Sequence, residues 1–369
     1  MDNKLQVAFA AIEKSFVDLI PKLEETSYSN RNFIYYGSDN LYPEYLYGLY
    51  NDVSSLKTIV DGTSDYVAGD DVKCNVPGFE TEINHNGMTA RELITLCARD
   101  YCIYGGFAIQ IIRNKAGEIA ELYYLDFRYC RCDKRNEAIY YNEDFGKKWG
   151  RVGNSLIYPK FVKEAKDVAT SVFYYKNNYS TTYPVPKYSG ALKACEIERH
   201  IDEFHLSALE NGFAGSYMIN FLQGIPTDEQ KAEIERNVQE KFCSTKNAGR
   251  ILLNFANGKD NAATLEKLEV EDFGEKYQAA AERAKEQIYT SFQASPVLFG
   301  VPNGSTGWNA QDFQEAFKLY NRTTVRAIQR NIVDGLDKIF DKKGSFTITP
   351  FTIDWSEEGD TEEVIETVN

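Results

Sequence analysis

The side chains with the clearest chemical potential lie in small groups, and each group lacks something its chemistry requires. His200 and His205, with Glu203 between them, suggest a zinc hydrolase. That chemistry needs two histidines four residues apart on one helix face, and a five-residue spacing turns them well away from each other. They read as solvated or interface histidines. Cys130 and Cys132 are two apart on one strand face, with Cys97 and Cys102 near in sequence, but there is no CxxC pair and only His85 lies close. A four-ligand zinc site is not assembled, so these cysteines read as small core hydrophobes. Ser54-Ser55-Leu56-Lys57 fits the SxxK of penicillin-binding enzymes without its companion motifs. Asn257-Gly258-Lys259-Asp260 lacks both the first glycine and the final Ser or Thr of a P-loop. Gly105-Gly106 precedes a strand rather than opening a helix after one, so it is no dinucleotide turn. The acid pairs Asp70-Asp71 and Glu143-Asp144 fall in polar loops. The reading is of a non-enzyme with no cofactor and no metal.

One stretch is unusual for a different reason. Residues 299–309, FGVPNGSTGWN, hold three glycines and a proline and no charge, between two segments with helical periodicity. Helix connections of that length are often functional.

The elements around these residues indicate an α+β chain. Of 369 residues 43% are hydrophobic, enough for a sizeable core, and the net charge of -14 argues against a general phosphate-binding surface. Seven cysteines form an odd set without the spacing of a secreted scaffold, which points to reduced thiols. Tyr35, Tyr36, Tyr42, Tyr45, Tyr47 and Tyr50 suit half-buried surfaces or interfaces. Charges in residues 1–20 break the apolar run, so the N-terminus reads as an amphipathic helix stopped at Pro21, neither leader nor membrane span.

Apolar spacing predicts helix from Pro43 to about Val67. Thr89 and Glu92 form a capping box opening a helix that ends at Gly105. FAIQIIRNKAGEIAELYYLDF predicts a hairpin, followed by strands at 128–132 and 138–141. Tyr183-Pro184-Val185-Pro186 is a stiff junction. Beyond it come a helix to Asn211-Gly212, then strand 216–222, helix 227–242, and strands 250–255 and 264–270. A further helix, 272–293, leads to the uncharged loop. Asn309 then caps the longest helix, whose core face runs through Phe313, Phe317, Tyr320, Thr324, Ile328, Ile332, Leu336 and Ile339. A strand interrupted by Pro350 follows. The tail after Asp354 is rich in acids without Lys or Arg and reads as frayed or disordered.

The succession of helix, small α/β insertion, helix, Gly-Pro-rich loop and longer helix resembles the portal protein of tailed bacteriophages. IYTSFQASPVLFGVPNGSTGWNAQDFQEAFKLYNRTTVRAIQRNIVDGLDKIF carries most of the likeness, and IYGGFAIQIIRNKAGEIAELYYLDFRYCR resembles the family's wing. The resemblance implies a wing at 1–190, stem helices at 191–212 and 271–294 around a clip at 213–270, and a tunnel loop at 295–308. Residues 309–355 would return to the wing, and 356–369 would be an acidic tail.

It further implies a ring, usually of twelve copies, at one capsid vertex of the virion, made in the host cytoplasm. Double-stranded DNA would pass through it during packaging and ejection. The loop residues facing that DNA would be Gly300, Val301, Pro302, Asn303, Gly304, Ser305, Thr306, Gly307 and Trp308. Implied partners are the terminase large subunit, the major capsid and scaffold proteins, and a head-tail adaptor, with no membrane. Another ring-forming virion adaptor, or a cytoplasmic enzyme, is the alternative.

Overall fold

The computed structural model describes residues 21–28, 31–147, 152–178, 180–210, 217–221, 251–255, 273–301 and 310–352. The expected N-terminal helix, the helix at 227–242, the strand at 264–270, the caps at Asn211-Gly212 and Asn309, and the acidic tail lie outside them. The chain divides into two compact units, one of Met1–Leu192 with Ile288–Asn369 and one of Lys193–Gln287.

In the first unit the elements run β1 (Glu25–Thr26), β2 (Tyr35–Tyr36), α1 (Tyr42–Asp52), α2 (Ser54–Ala68), β3 (Asp71–Cys74) and α3 (Ala90–Tyr104). Strands β4 (Gly106–Arg113), β5 (Ile119–Leu125), β6 (Cys130–Cys132), β7 (Ala138–Tyr141), β8 (Leu156–Pro159) and β9 (Thr170–Lys176) follow. Then come helix α4 (Leu192–Glu210), strands β10 (Tyr217–Phe221) and β11 (Ile251–Phe255), and helix α5 (Phe273–Phe292). Helices α6 (Ala310–Tyr320) and α7 (Arg326–Phe340) and strand β12 (Phe346–Thr349) close the described chain.

The predicted hairpin forms as β4 and β5, antiparallel, with β9 on the other side of β4. A second sheet orders β6-β7-β8, and β12 pairs antiparallel with β3. In the second unit β10 and β11 pair in parallel, the described part of the small insertion. The six described cysteines are all buried, as small hydrophobes in a core would be.

Local signals explain the best-defined boundaries. Thr89 Oγ1 accepts from the Glu92 backbone N–H and the Glu92 carboxylate accepts from that of Thr89, while Gly105 ends α3 in the left-handed region. This is the predicted capping box, and it satisfies two donors the helix start leaves orphaned. Helix α7 lies against the β4–β9 face through Gly335, where a Cβ would meet the Phe173 ring at 3.0 Å.

Three expectations are corrected. The helix from Pro43 is two helices, because Val53 takes an extended conformation that ends α1 and opens α2. The strand at 128–132 shortens to β6, since Asp126 caps a 3₁₀ turn at Phe127–Tyr129. The longest helix is not uniformly α: residues Asn321–Val325 form a π turn between α6 and α7. Its predicted core face holds from Tyr320 onward, with Tyr320, Thr324, Ile328, Ile332, Leu336 and Ile339 buried, while Phe313 and Phe317 are only half-buried.

Asp100 on α3 is fully buried and accepts from the Tyr124 hydroxyl at 2.9 Å and from the Phe127 N–H. Burial, with Asp126 adding to it, pushes its carboxyl up to about 8. A carboxyl raised in the folded state binds its proton more tightly there than in the unfolded chain, so it lowers stability as pH climbs from about 4 to about 8. Asp100→Asn, which still accepts both hydrogen bonds, is therefore expected to unfold at higher urea than the parent at pH 8, with the gap narrowing at pH 5. A gap that stays constant with pH would assign the difference to something other than this carboxyl.

Candidate functional site

The described start of the uncharged loop, within the first unit, rests on a base built by distant parts of the chain. Helix α5 stops in a Schellman arrangement: Gln293 is left-handed (φ 56°), its N–H reaches Thr290 O, and the Ala294 N–H reaches Tyr289 O. Pro296 then opens a 3₁₀ turn, Pro296–Phe299, closed by Gly300 at φ 79°. The Val301 N–H donates back to Pro296 O at 3.2 Å, so the chain doubles on itself before it leaves.

Helix α2 holds this turn from outside. The Tyr66 hydroxyl donates to Leu298 O at 2.7 Å. The Phe299 ring lies over Gly62, where a Cβ would sit 2.7 Å from the ring, so the close approach needs a residue without one. Around it Tyr66, Tyr289 and Tyr320 place their ring centroids 5.8 to 6.1 Å away. Tyr320 is fixed in turn by a 2.7 Å bond between its hydroxyl and Thr63 Oγ1. Val297 and Leu298 are buried, while Val301 is 41% exposed where the loop departs.

The π turn meets the same base. Lys187 Nζ donates to Thr324 Oγ1 at 3.2 Å, to Phe292 O and to Gln293 Oε1, each at 3.3 Å. The ammonium thus satisfies a terminal carbonyl of α5 where positive charge is favoured. Burial pulls its pKa down. A π turn admits one extra residue per turn. Here that brings Thr324 to the end of α5.

Of the residues expected to face DNA, Gly300 and Val301 are described and emerge together from this base. Pro302, Asn303, Gly304, Ser305, Thr306, Gly307 and Trp308 lie outside the described residues. Gly62, Tyr66 and Lys187 were not singled out in the sequence. Gly62 carried a usable signal, since glycine inside a helical pattern often marks close packing.

The other chemical candidates stay apart. His200 Nδ1 and Glu203 Oε2 lie 2.9 Å apart on α4, and His205 is exposed further along. Ser54 starts α2, and Lys57 pairs with Asp61 and the Tyr50 hydroxyl. Asp70 accepts from the N–H and hydroxyl of Thr352, tying the end of the described chain to the turn before β3. Among the described residues no group of three or more His, Cys, Asp and Glu could hold a metal, and no helix is long and apolar enough to cross a membrane.

A family model described as "Phage portal protein" matches residues 80–368. No curated protein matches the chain. Among solved structures, an HK97-family phage portal protein from Corynebacterium diphtheriae is 12% identical, with 82% of this chain and 94% of that one covered, at a TM-score of 0.50. That likeness establishes the fold. A chain in the neck of the native gene transfer agent particle, computed with C12 symmetry, is 19% identical over 80% of this chain and 78% of its own, at 0.48. A chain of the native gene transfer agent virion is 16% identical over 86% and 84%, at 0.49.

Proposed function

This chain belongs to the phage portal protein family, and from that premise we propose that about twelve copies close into a ring at one vertex of a viral head. Double-stranded DNA enters and leaves through its channel. The observation that carries the reading is the family match, which spans the uncharged loop and the helices on both sides of it. On this reading residues 1–190 and 309–355 build the wing, 191–212 and 271–294 the stem, and 213–270 the clip. The clip meets the terminase large subunit during packaging and a head-tail adaptor afterwards, while the wing meets capsid and scaffold proteins.

The loop from Gly300 to Trp308 faces the DNA. No charged residue occurs between Ser295 and Asp312, and Asn303, Ser305, Thr306 and Asn309 offer only neutral hydrogen-bonding groups. A ring of lysines or arginines there would bind phosphates with release of counterions and hold the duplex in place. Neutral contacts let it slide. The acidic balance of the chain supports the same end, because closed symmetry repeats every charge and an acidic lining repels a polyanion.

Native mass spectrometry followed by negative-stain imaging tests the assembly. The expected species is a closed ring of about a dozen protomers around a central hole. A compact dimer that persists across concentration and salt would overturn the reading.

A further inference from the structure

Arg322, Arg326 and Arg330 follow one another at four-residue spacing through the π turn and α7, and all three are exposed. They line one side of a groove of about 620 Å³ whose other side is Thr347, Ile348 and Pro350 at the end of β12. Asp334 is the one acid among the lining residues. None of the three arginines forms an ion pair with a described residue. A concentrated basic stripe on a chain of net charge -14 is a recognition feature in search of an anion.

We propose that the occupant is the acidic C-terminal segment of the same chain, residues 354–369. Three observations select it. The segment carries seven Asp and Glu and no Lys or Arg. It begins four residues beyond Pro350, itself a wall of the groove, and is rooted nearby by the bonds from Thr352 to Asp70. The spacing also fits. Arg326 and Arg330, about one turn apart on α7, are offset by about 6 Å along the helix, and Arg322 precedes them in the π turn. In any extended chain, residues two apart fall on one side and repeat at about 6.6 Å, which is the sequence spacing of Glu358, Asp360 and Glu362. Each carboxylate then meets one guanidinium fork, the geometry arginine recognises best.

The apolar residues of the tail, Trp355 with Val364 and Ile365, have Ile348, Pro350 and Val333 to cover. DNA phosphates share the tail's charge and are the natural competitor. The tail holds the advantage because tethering keeps it at roughly millimolar effective concentration. Composition alone would leave this segment solvated; the stripe gives it a seat. The consequence is that the exposed arginines are covered in the free protein, which goes beyond the channel function and does not depend on it.

The test is digestion of the full-length protein with a glutamyl endopeptidase, following release of the C-terminal fragments by mass spectrometry. In Arg322→Glu/Arg326→Glu/Arg330→Glu, cleavage within residues 357–366 is expected to accelerate by about tenfold or more, with unchanged circular dichroism. Adding Glu358→Arg, Asp360→Arg and Glu362→Arg to that variant should restore slow cleavage at the remaining glutamates. Equal cleavage in the parent and the folded triple variant would overturn the proposal. So would an acceleration that the charge swap does not reverse. If the parent tail is cut as fast as the variant's while the three substitutions abolish binding of a short DNA duplex, the stripe is a phosphate site and the tail is not its occupant.

Discussion

A chain lacking Gly304, Ser305 and Thr306 is expected to form rings of normal size and yet to yield at least about tenfold fewer DNA-filled particles per ring. Assembly is spared because the base of the loop is built without these residues. Phe299 is seated on Gly62, Leu298 O is held by Tyr66, and Gly300 closes its own turn. The loss of DNA follows from symmetry. If the loop contributes only ~0.12 kcal/mol per copy to the productive state of the duplex, about a dozen copies sum to ~1.4 kcal/mol, a factor of about ten. Native mass spectrometry reports the ring, and the ratio of full to empty particles reports the DNA. Normal filling by the shortened chain would remove Gly300–Trp308 from the DNA path. Fewer rings, rather than fewer full particles per ring, would instead give the loop a role in assembly.

How much of this was legible beforehand depends on sequence distance. The capping box at Thr89, the β4–β5 hairpin and the buried face of α7 are written in residues a few positions apart, and the structure forms them as the sequence predicts. Val53 interrupts a helix with neither Gly nor Pro to announce it, because an extended β-branched residue serves where tertiary packing allows. The π turn is equally silent. Its Thr324 is engaged by Lys187, 137 positions earlier, so no local pattern could signal it. The loop was conspicuous from its own composition, whereas its supports were not: Tyr66 and Leu298 are 232 positions apart. Arg131 was hidden differently. In a run reading Cys-Arg-Cys an arginine looks like a solvent-facing residue of an edge strand, and only the fold reveals it as one of the largest wholly enclosed side chains.

Arg131→Met is therefore expected to destabilise the first unit by about 3–5 kcal/mol, although it replaces a charge with an apolar side chain of similar length. Such replacements are often neutral when both partners of a buried ion pair go together. Here no carboxylate among the described residues pairs with the guanidinium, and what it leaves behind stays buried. Nε donates to Asn40 Oδ1, Nη2 to Asn40 O, and Nη1 to Arg128 O and Cys130 O. Phe145 and Tyr36 place ring faces 5.0 and 5.8 Å from the charge. Burial draws the pKa of Arg131 downward, the mark of a charge held at a cost that these acceptors offset.

The acceptors belong to structure that other residues depend on. Asn40 is left-handed (φ 67°) and also receives the Tyr36 N–H, while Tyr36 stacks on Tyr183 at 4.0 Å and donates to Pro184 O. Unsatisfied acceptors in that cluster cost ~1–3 kcal/mol each. They would also loosen the hold on Pro184, just before the chain leaves for α4. Arg131→Lys should fare little better, since one ammonium cannot serve the guanidinium's diverging acceptors. Thermal unfolding followed by near-ultraviolet circular dichroism checks both variants. An Arg131→Met protein that melts with the parent would mean that water replaces the guanidinium without penalty, and that the aromatic stack around Tyr36 and Tyr183 holds this part of the fold by itself.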